Sequence, residues 1–200
     1  VAGLLCEKGI AHPQMESLTA EERSFAEKYF IADVLPVLSP QIINAHHPFP
    51  HLVNKAIYIV LQLKISDKTA YGIIPMPAMQ DRLIFLPGSG MRYVLLEELI
   101  YQYAERVFDN CEINAKSIIC VTRNADINVD SLPDEDEDFR HHMKKVLRKR
   151  SRLAPVRLEH CGPIHDKLEK FLRGKLELKK EQVFQSSAPL EMSYVFPLLD

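Results

Sequence analysis

The stretch that decides the fold is VLPVLSPQIINAHHPFPHLVN, residues 34–54. Four prolines interrupt it, and each proline fixes its own φ, lacks a backbone donor and restricts the residue before it. They are Pro36, Pro40, Pro48 and Pro50. Neither a helix nor a central strand can therefore run through the stretch. Because the stretch is apolar and contains only Ser39 among the usual flexible-linker residues, it predicts an ordered connection that packs on a core.

Two interpretations of the second half of this stretch stay open. A rigid loop carrying several histidines, among them His46 and His51, can position a ligand or a neighbouring domain. A well-packed structural loop explains the same residues equally well. The residues that would do the positioning, called the positioning loop from here on, are His47, Pro48, Phe49, Pro50 and Asn54.

The positioning loop follows a well-marked helix. Thr19 and Glu22 form a Thr-x-x-Glu capping box at its start, and Pro36 ends it. Apolar residues follow at helical spacings. They are Phe25, Tyr29, Phe30, Ala32 and Val34.

The remainder of the chain predicts an α+β domain, with one mixed or mostly antiparallel sheet and helices packed against it. Runs of β-branched and aromatic residues predict strands at 56–65, 71–75, 82–86, 117–122, 127–129, 156–160 and 182–185, with 92–95 extended. Periodic apolar residues predict helices at 96–107, at 133–150 and from Pro163 to near Gly174, and the end of another at 4–10. The tetrapeptide at 87–90 lacks the Gly-Lys-Ser/Thr ending of a phosphate loop, so we expect a turn there.

The helix at 133–150 is strongly charged. Acidic residues occupy its start, at 134–138, and basic residues its end, at 144–150. The helix dipole favours this arrangement by roughly 0.3–1 kcal/mol for each well-placed charge. Helix stabilisation therefore explains both charge runs without a ligand.

The segment VTRNAD, residues 121–126, has the most site-like pattern of polar residues. Arg123, Asn124 and Asp126 gather where an apolar strand ends, which is where loops that carry function often lie. A guanidinium matches phosphate oxygens in a bidentate way, so Arg123 and Asn124 are candidate substrate contacts. Alternatively, Arg123 pairs with Asp126 and only closes a structural turn.

Composition argues against several classes of protein. With 46% hydrophobic and 26% charged residues the chain resembles a soluble globular protein, and no apolar run approaches the ~18–20 residues of a membrane span. A net charge of −2 argues against a general nucleic-acid binder.

The four cysteines form no Cys-x-x-Cys pair and the histidines lack a full ligand set, so we predict no metal site. The first residues do not resemble a signal peptide, and we expect a cytoplasmic protein.

Four phrases resemble a known family. They are LPVLSP at 35–40, HHPFPHLVN at 46–54, RYVLLEELI at 92–100 and VTRNADINV at 121–129. In this order and at compatible spacing, they are similar to signatures of the polyphosphate kinases. The likeness runs from about Gly3 to Leu190 and covers the middle, or head, domain of a much longer enzyme.

The resemblance implies a phosphotransferase that reversibly moves the terminal phosphate of ATP to inorganic polyphosphate through a phosphohistidine, with Mg²⁺. The family's catalytic histidine and its ATP and metal ligands belong to the flanking domains, and no stretch here matches their motifs. For this chain the resemblance therefore implies no catalytic residue, no cofactor and no metal of its own. Its expected partners are the flanking domains, a second copy in a homodimer, and polyphosphate.

The expected division of the chain is a junction at 1–18, the middle domain at 19–190 and a tail towards the next domain at 191–200. Two other functions remain open. One is a free-standing interaction module of the same fold with no phosphate role. The other is a small metal-dependent phosphatase built on the histidines.

Overall fold

The predicted α+β class is confirmed, but the strands form two sheets rather than one. A computed structural model of the chain describes residues 9–44, 47–66, 68–88, 90–124 and 154–198. The strands are β1 (Ile10–Ala11), β2 (Gln41–Ile43), β3 (Ile57–Ile65), β4 (Lys68–Pro75), β5 (Leu83–Phe85), β6 (Met91–Leu95), β7 (Glu112–Arg123), β8 (Pro155–Cys161) and β9 (Val183–Ser186). The helices are α1 (Ala20–Tyr29), α2 (Leu96–Gln102), α3 (Ala104–Val107) and α4 (Asp166–Leu176), with 3-10 turns at Met15–Ser17, Lys180–Gln182 and Met192–Leu198.

Some predicted elements cannot be compared with the structure. The strand predicted at 127–129 and the helix predicted at 133–150 lie outside the described residues. So does most of the helix end predicted at 4–10, of which the structure describes Gly9 and Ile10. Ile10 is the first residue of β1 and not part of a helix.

The large sheet has the strand order β2-β4-β3-β7-β8-β9. Its neighbours are antiparallel except β8 and β9, which are parallel. β3 lies in the middle, and its residues 57–63 are all buried. A strand that is apolar on both sides needs cover on both faces of the sheet. The sheet accordingly has a hydrophobic core on each face.

The small sheet, of order β1-β6-β5, corrects the expectation of a single sheet. β5 lies outside the large sheet, in which β3 has β4 and β7 as neighbours and β4 has β2 on its other edge. The turn at 87–90 instead returns the chain so that β6 pairs antiparallel with β5. β1 pairs parallel with the other edge of β6.

Helix α1 covers one face of the large sheet and leads into the proline-rich stretch. Its capping box is confirmed: the Glu22 backbone N–H donates to Thr19 Oγ1 at 3.2 Å, and the Thr19 backbone N–H donates to Glu22 Oε2 at 2.8 Å. The helix continues as a π-helical turn, Phe30–Val34, and a 3-10 turn, Leu35–Val37. Pro36 thus lies where the helical path ends, as predicted.

Helix α4 covers the other face. Leu168, Leu172 and Leu176 are its buried residues, and they pack in the core beneath it. The helix ends at Leu176, close to the end predicted near Gly174, and the following Glu177 adopts the left-handed conformation at φ 56°.

Candidate functional site

The end of the proline-rich stretch is bonded to the end of β7. The backbone N–H of Arg123 donates to Asn54 Oδ1 at 2.8 Å, and Arg123 Nε donates to the carbonyl oxygen of Leu52 at 2.7 Å. The backbone N–H of Lys55 donates to the carbonyl oxygen of Val121 at 2.8 Å. We call this region, residues 52–55 and 121–124, the strand-end site. It joins two segments that lie about 70 positions apart in the chain.

The strand-end site contains a β-bulge and a residue with positive φ. Thr122 lies opposite Arg157 of β8, but the next residue, Arg123, lies opposite Pro155, so a bulge separates the two pairs. Bulges re-aim side chains and are frequent beside functional sites. Lys55 adopts a left-handed backbone conformation, φ 59°, which is unfavourable for a residue with a β-carbon. Strained residues of this kind persist where surrounding contacts hold them, as the bond from Lys55 to Val121 does here.

The guanidinium of Arg123 is partly buried. Burial lowers its pKa from the usual range, and the nearby Tyr58 offsets part of that change. An arginine pKa lies so far above neutrality that the group keeps its positive charge at physiological pH. Its bond to Leu52 uses Nε and fixes the plane of the group at the surface of the sheet. The arrangement can present a fixed cation to an anionic ligand.

The structure separates most of the positioning loop from Arg123. Asn54 contacts Arg123 directly. The residues His47, Pro48, Phe49 and Pro50 instead line an apolar cleft of about 740 Å³, together with Ile65 and the β2 segment at 40–44. The imidazole and backbone of His47 both bond to Asn44 Oδ1, at 3.2 and 3.0 Å. The stretch therefore contributes to two different places on the domain.

Aromatic contacts hold the cleft side of the positioning loop. Phe49 packs edge-on against Phe171 of α4, with 6.0 Å between ring centroids. Phe171 in turn stacks on Tyr71 of β4 at 3.4 Å, with ring planes 4° apart. The loop is thus fixed to the helix and the sheet by packing, which supports the structural interpretation of Phe49.

The other candidate residues have local structural roles or lie beyond the described part of the chain. His165 caps α4, and its Nδ1 accepts a hydrogen bond from the Lys167 backbone N–H at 3.3 Å. His160 is buried, and its Nδ1 lies 2.8 Å from the carbonyl oxygen of Gly162. Asn124 is exposed and donates its backbone N–H to Ala154. His46 and Asp126 lie outside the described residues, so the proposed Arg123–Asp126 pair stays a prediction.

In the described ranges, two cysteines are poor nucleophiles and no cluster of metal ligands is found. Burial raises the pKa of Cys120 to about 11 and also raises that of Cys161, so both stay protonated at neutral pH. Among the residues that the structure describes, no three His, Cys, Asp or Glu side chains are grouped so that they could hold a metal ion.

One residue of the strand-end site, Lys55, cannot be found from the sequence alone. Lys55 follows a phrase that ends at Asn54 and carries no motif of its own. Its contact with Val121 comes from the pairing of β3 with β7. No signal in the sequence gives this register, because strand pairing is set by contacts that are distant along the chain.

Comparisons with known proteins agree with one another. A family model described as the polyphosphate kinase middle domain matches residues 21–198. A polyphosphate kinase of Bacillus anthracis is 33% identical over 96% of this chain and 28% of its own length. Another, from Halalkalibacterium halodurans, is 32% identical over 98% of this chain and 28% of its own length. This chain thus spans little more than a quarter of these relatives.

A solved structure shows the same fold. The crystal structure of polyphosphate kinase from Porphyromonas gingivalis superposes with a TM-score of 0.69 at 19% identity, over 92% of this chain and 26% of that one. At 19% identity, this similarity shows that the two proteins share a fold. In addition, none of the described helices is long and apolar enough to cross a membrane.

Proposed function

Since the chain belongs to the polyphosphate kinase family, as a middle domain, we propose that it helps to hold inorganic polyphosphate while the rest of the polypeptide performs the transfer. In this proposal the whole cytoplasmic enzyme moves the terminal phosphate of ATP to polyphosphate and back, through a phosphohistidine and with Mg²⁺. The phosphorylated histidine and the ATP and Mg²⁺ ligands belong to other domains. The middle domain contributes to the homodimer and to one wall of the polyanion path.

One observation carries the proposal: the double attachment of Arg123 to Asn54 and Leu52. The carbonyl oxygen of Leu52 accepts a hydrogen bond from Nε and so orients the guanidinium. A positively charged, partly buried fork at the surface is suited to phosphate oxygens, which it meets with two parallel hydrogen bonds. Partial burial strengthens such contacts, because the local dielectric is lower than that of water.

The direct test is Arg123→Lys in the whole kinase. Lysine keeps the positive charge but loses the fork, so polyphosphate affinity should fall by on the order of tenfold, the value of one charge-assisted hydrogen bond. The KM for ATP should stay unchanged, and the variant should remain folded. If polyphosphate affinity is unaltered, Arg123 does not contact the polyanion.

The structural alternative makes a different prediction. If Arg123 only closes a turn with Asp126, then Arg123→Ala and Asp126→Ala should lower the melting temperature by similar amounts. Their effects should fail to add in the double variant, as expected for two partners of one interaction. Polyphosphate affinity should be the same in all three variants.

The assignment of the chemistry to other domains has its own test. The isolated chain of residues 1–200, given radiolabelled ATP, Mg²⁺ and polyphosphate, should neither extend the polyphosphate nor acquire acid-labile phosphate. Label on His46, His47 or His165 would place phosphotransfer within this domain and contradict the assignment.

The apolar cleft favours a second candidate function, that of an interaction module. Its lining includes Ile42, Ile43 and Phe49, which suit an apolar protein segment and not a polyanion. A domain that acts only in this way would be a stable monomer and bind no polyphosphate in any context. Measuring polyphosphate binding by the whole kinase and by Arg123→Lys distinguishes the two functions.

A further inference from the structure

The small sheet carries apolar residues on both of its faces. Ile84 and Val94 belong to the same core as α1. Residues that lie opposite each other on neighbouring strands share a face, so the register defines an outer face on the other side of the sheet. The outer face consists of Ile10 of β1, Leu83 and Phe85 of β5, and Met91, Tyr93 and Leu95 of β6. A sheet that is apolar on both sides needs cover on both.

The turn at Met192–Leu198, which we call the tail turn, covers part of the outer face. Arg82 holds the chain just before it, because its Nη2 donates to the carbonyl oxygen of Leu190 at 2.5 Å and its Nη1 bonds to Glu191 Oε2 at 3.0 Å. The tail turn is therefore a packed part of the domain. The buried residues of the small core between the turn and the sheet are Tyr93, Leu95, Tyr194 and Leu198.

Four large apolar side chains remain exposed on the outer face and the tail turn. They are Phe85, Met91, Met192 and Phe196, which we call the docking face. Phe196 is 70% exposed, although Tyr194 and Leu198 on either side of it are buried. Taking about 200 Å² for a fully exposed large side chain, the four expose on the order of 400 Å². Apolar patches of this size are often functional.

We propose that the docking face binds the domain that follows this one in the polypeptide. The matching family model is that of a middle domain and ends at residue 198, two residues beyond Phe196. Two residues span at most about 7 Å, so the polypeptide that follows starts beside the docking face. The relatives supply the length for a further domain, since this chain covers only 28% of the polyphosphate kinase of Bacillus anthracis. The inference goes beyond the proposed function and does not depend on Arg123.

The exposed area favours an attached domain over a second copy of the chain. A stable complex of separate proteins buries about 800 Å² on each partner, roughly twice the area of the docking face. Interfaces between domains of one chain are smaller, from about 600 Å² in total. A tethered partner is present at an effective concentration in the millimolar range, so a small apolar contact is sufficient.

Photo-cross-linking in the whole kinase tests the proposal. Benzoylphenylalanine replaces Phe196, the protein is irradiated, and the joined peptides are identified by mass spectrometry. The cross-link should form within one polypeptide, to residues beyond position 200. The control carries benzoylphenylalanine in place of Met79, which is 96% exposed and lies between β4 and β5. It should not cross-link to those residues.

A charge on the docking face should release the attached domain. In the whole kinase, Phe196→Asp should speed hydrogen exchange in the polypeptide beyond position 200 by on the order of tenfold, as expected for the loss of one buried large side chain. Exchange in β3 should stay unchanged, which distinguishes undocking from unfolding. Met79→Asp adds the same charge elsewhere and should alter neither region.

Each other result of the cross-linking overturns the proposal. A product with residues before position 9 would show that the preceding domain occupies the face. A product between two polypeptides would make it an interface between copies. A pattern like that of the Met79 control would show that the face stays open to solvent. Polyphosphate binding through Arg123 would stand in all three cases, so failure of this inference is distinguishable from failure of the proposed function.

Discussion

Two arginines tie distant parts of the chain together, and they do so with different partners. Arg82, just before β5, forms a two-pronged bond to Glu97 of α2, with Nη2–Oε1 at 2.6 Å, and also bonds to Glu191 Oε2 at 3.0 Å. It lies 5.0 Å from the centre of the Tyr194 ring. Arg123, at the strand-end site, bonds to the carbonyl oxygen of Leu52.

Arg82 stabilises the fold through a buried carboxylate. Glu97 is only 3% exposed, so its carboxylate depends on Arg82 for compensation of its charge. Arg123 lies at the strand-end site, where the proposed function places a phosphate contact. We therefore expect Arg82 to matter chiefly for folding and Arg123 chiefly for polyanion binding.

The largest expected effect is that of Arg82→Gln on stability. Removing one partner of a buried pair leaves an uncompensated charge, so the free energy of unfolding should fall by about 3–5 kcal/mol. Urea unfolding of the isolated chain measures it. The double variant Arg82→Gln/Glu97→Gln should recover much of the loss, and a loss below about 1 kcal/mol in the single variant would show that Glu97 is not compensated by Arg82.

This loss should depend on pH. Burial raises the pKa of Glu97, and Arg82 opposes that rise. Without Arg82 the folded-state pKa rises further, so the folded variant binds the proton more tightly than the unfolded chain does. The stability deficit should therefore be largest above the folded-state pKa of Glu97 and shrink as pH falls through it.

The next effect concerns the aromatic contacts of the positioning loop. Phe171→Ala removes the ring that touches both Phe49 and Tyr71, and should cost about 2–3 kcal/mol, less than for a fully buried phenylalanine. Its coupling with Phe49→Ala, measured in a double-mutant cycle, should be about 0.5–1.5 kcal/mol. Phe196, whose side chain is 70% exposed, is the control, and Phe196→Ala should change stability by less than about 0.5 kcal/mol.

The smallest expected stability effect is that of the loop prolines. Pro48→Ala and Pro50→Ala should each lower stability by ~0.4–1 kcal/mol, because alanine gives the unfolded chain more conformations to lose. Thermal unfolding of both variants checks this. An unchanged melting temperature in both would mean that the loop gains nothing from the fixed φ of proline.

The sequence predicted the elements whose signals are local. The capping box of α1, the long apolar run of β3 and the β5–β6 turn each depend on residues close together in the chain, and all three are confirmed. The division into two sheets was missed, because strand order depends on contacts between residues that are distant along the chain.

The contacts of the strand-end site could not be predicted, for the same reason. Asn54 was assigned to the positioning loop and Arg123 to the end of an apolar strand, but their contact joins segments far apart in the chain. Lys55 joins them only through strand register. Within the positioning loop, Asn54 contacts Arg123, whereas His47, Pro48, Phe49 and Pro50 line the cleft.

The most direct measurement compares the polyphosphate affinity of the whole kinase carrying Arg123→Gln with that of the kinase carrying Arg82→Gln, at a temperature where both remain folded. Arg123→Gln should weaken binding by on the order of tenfold. Arg82→Gln should lower the melting temperature and leave the affinity unchanged. Equal affinities in the two variants would contradict the assignment of polyanion binding to the strand-end site.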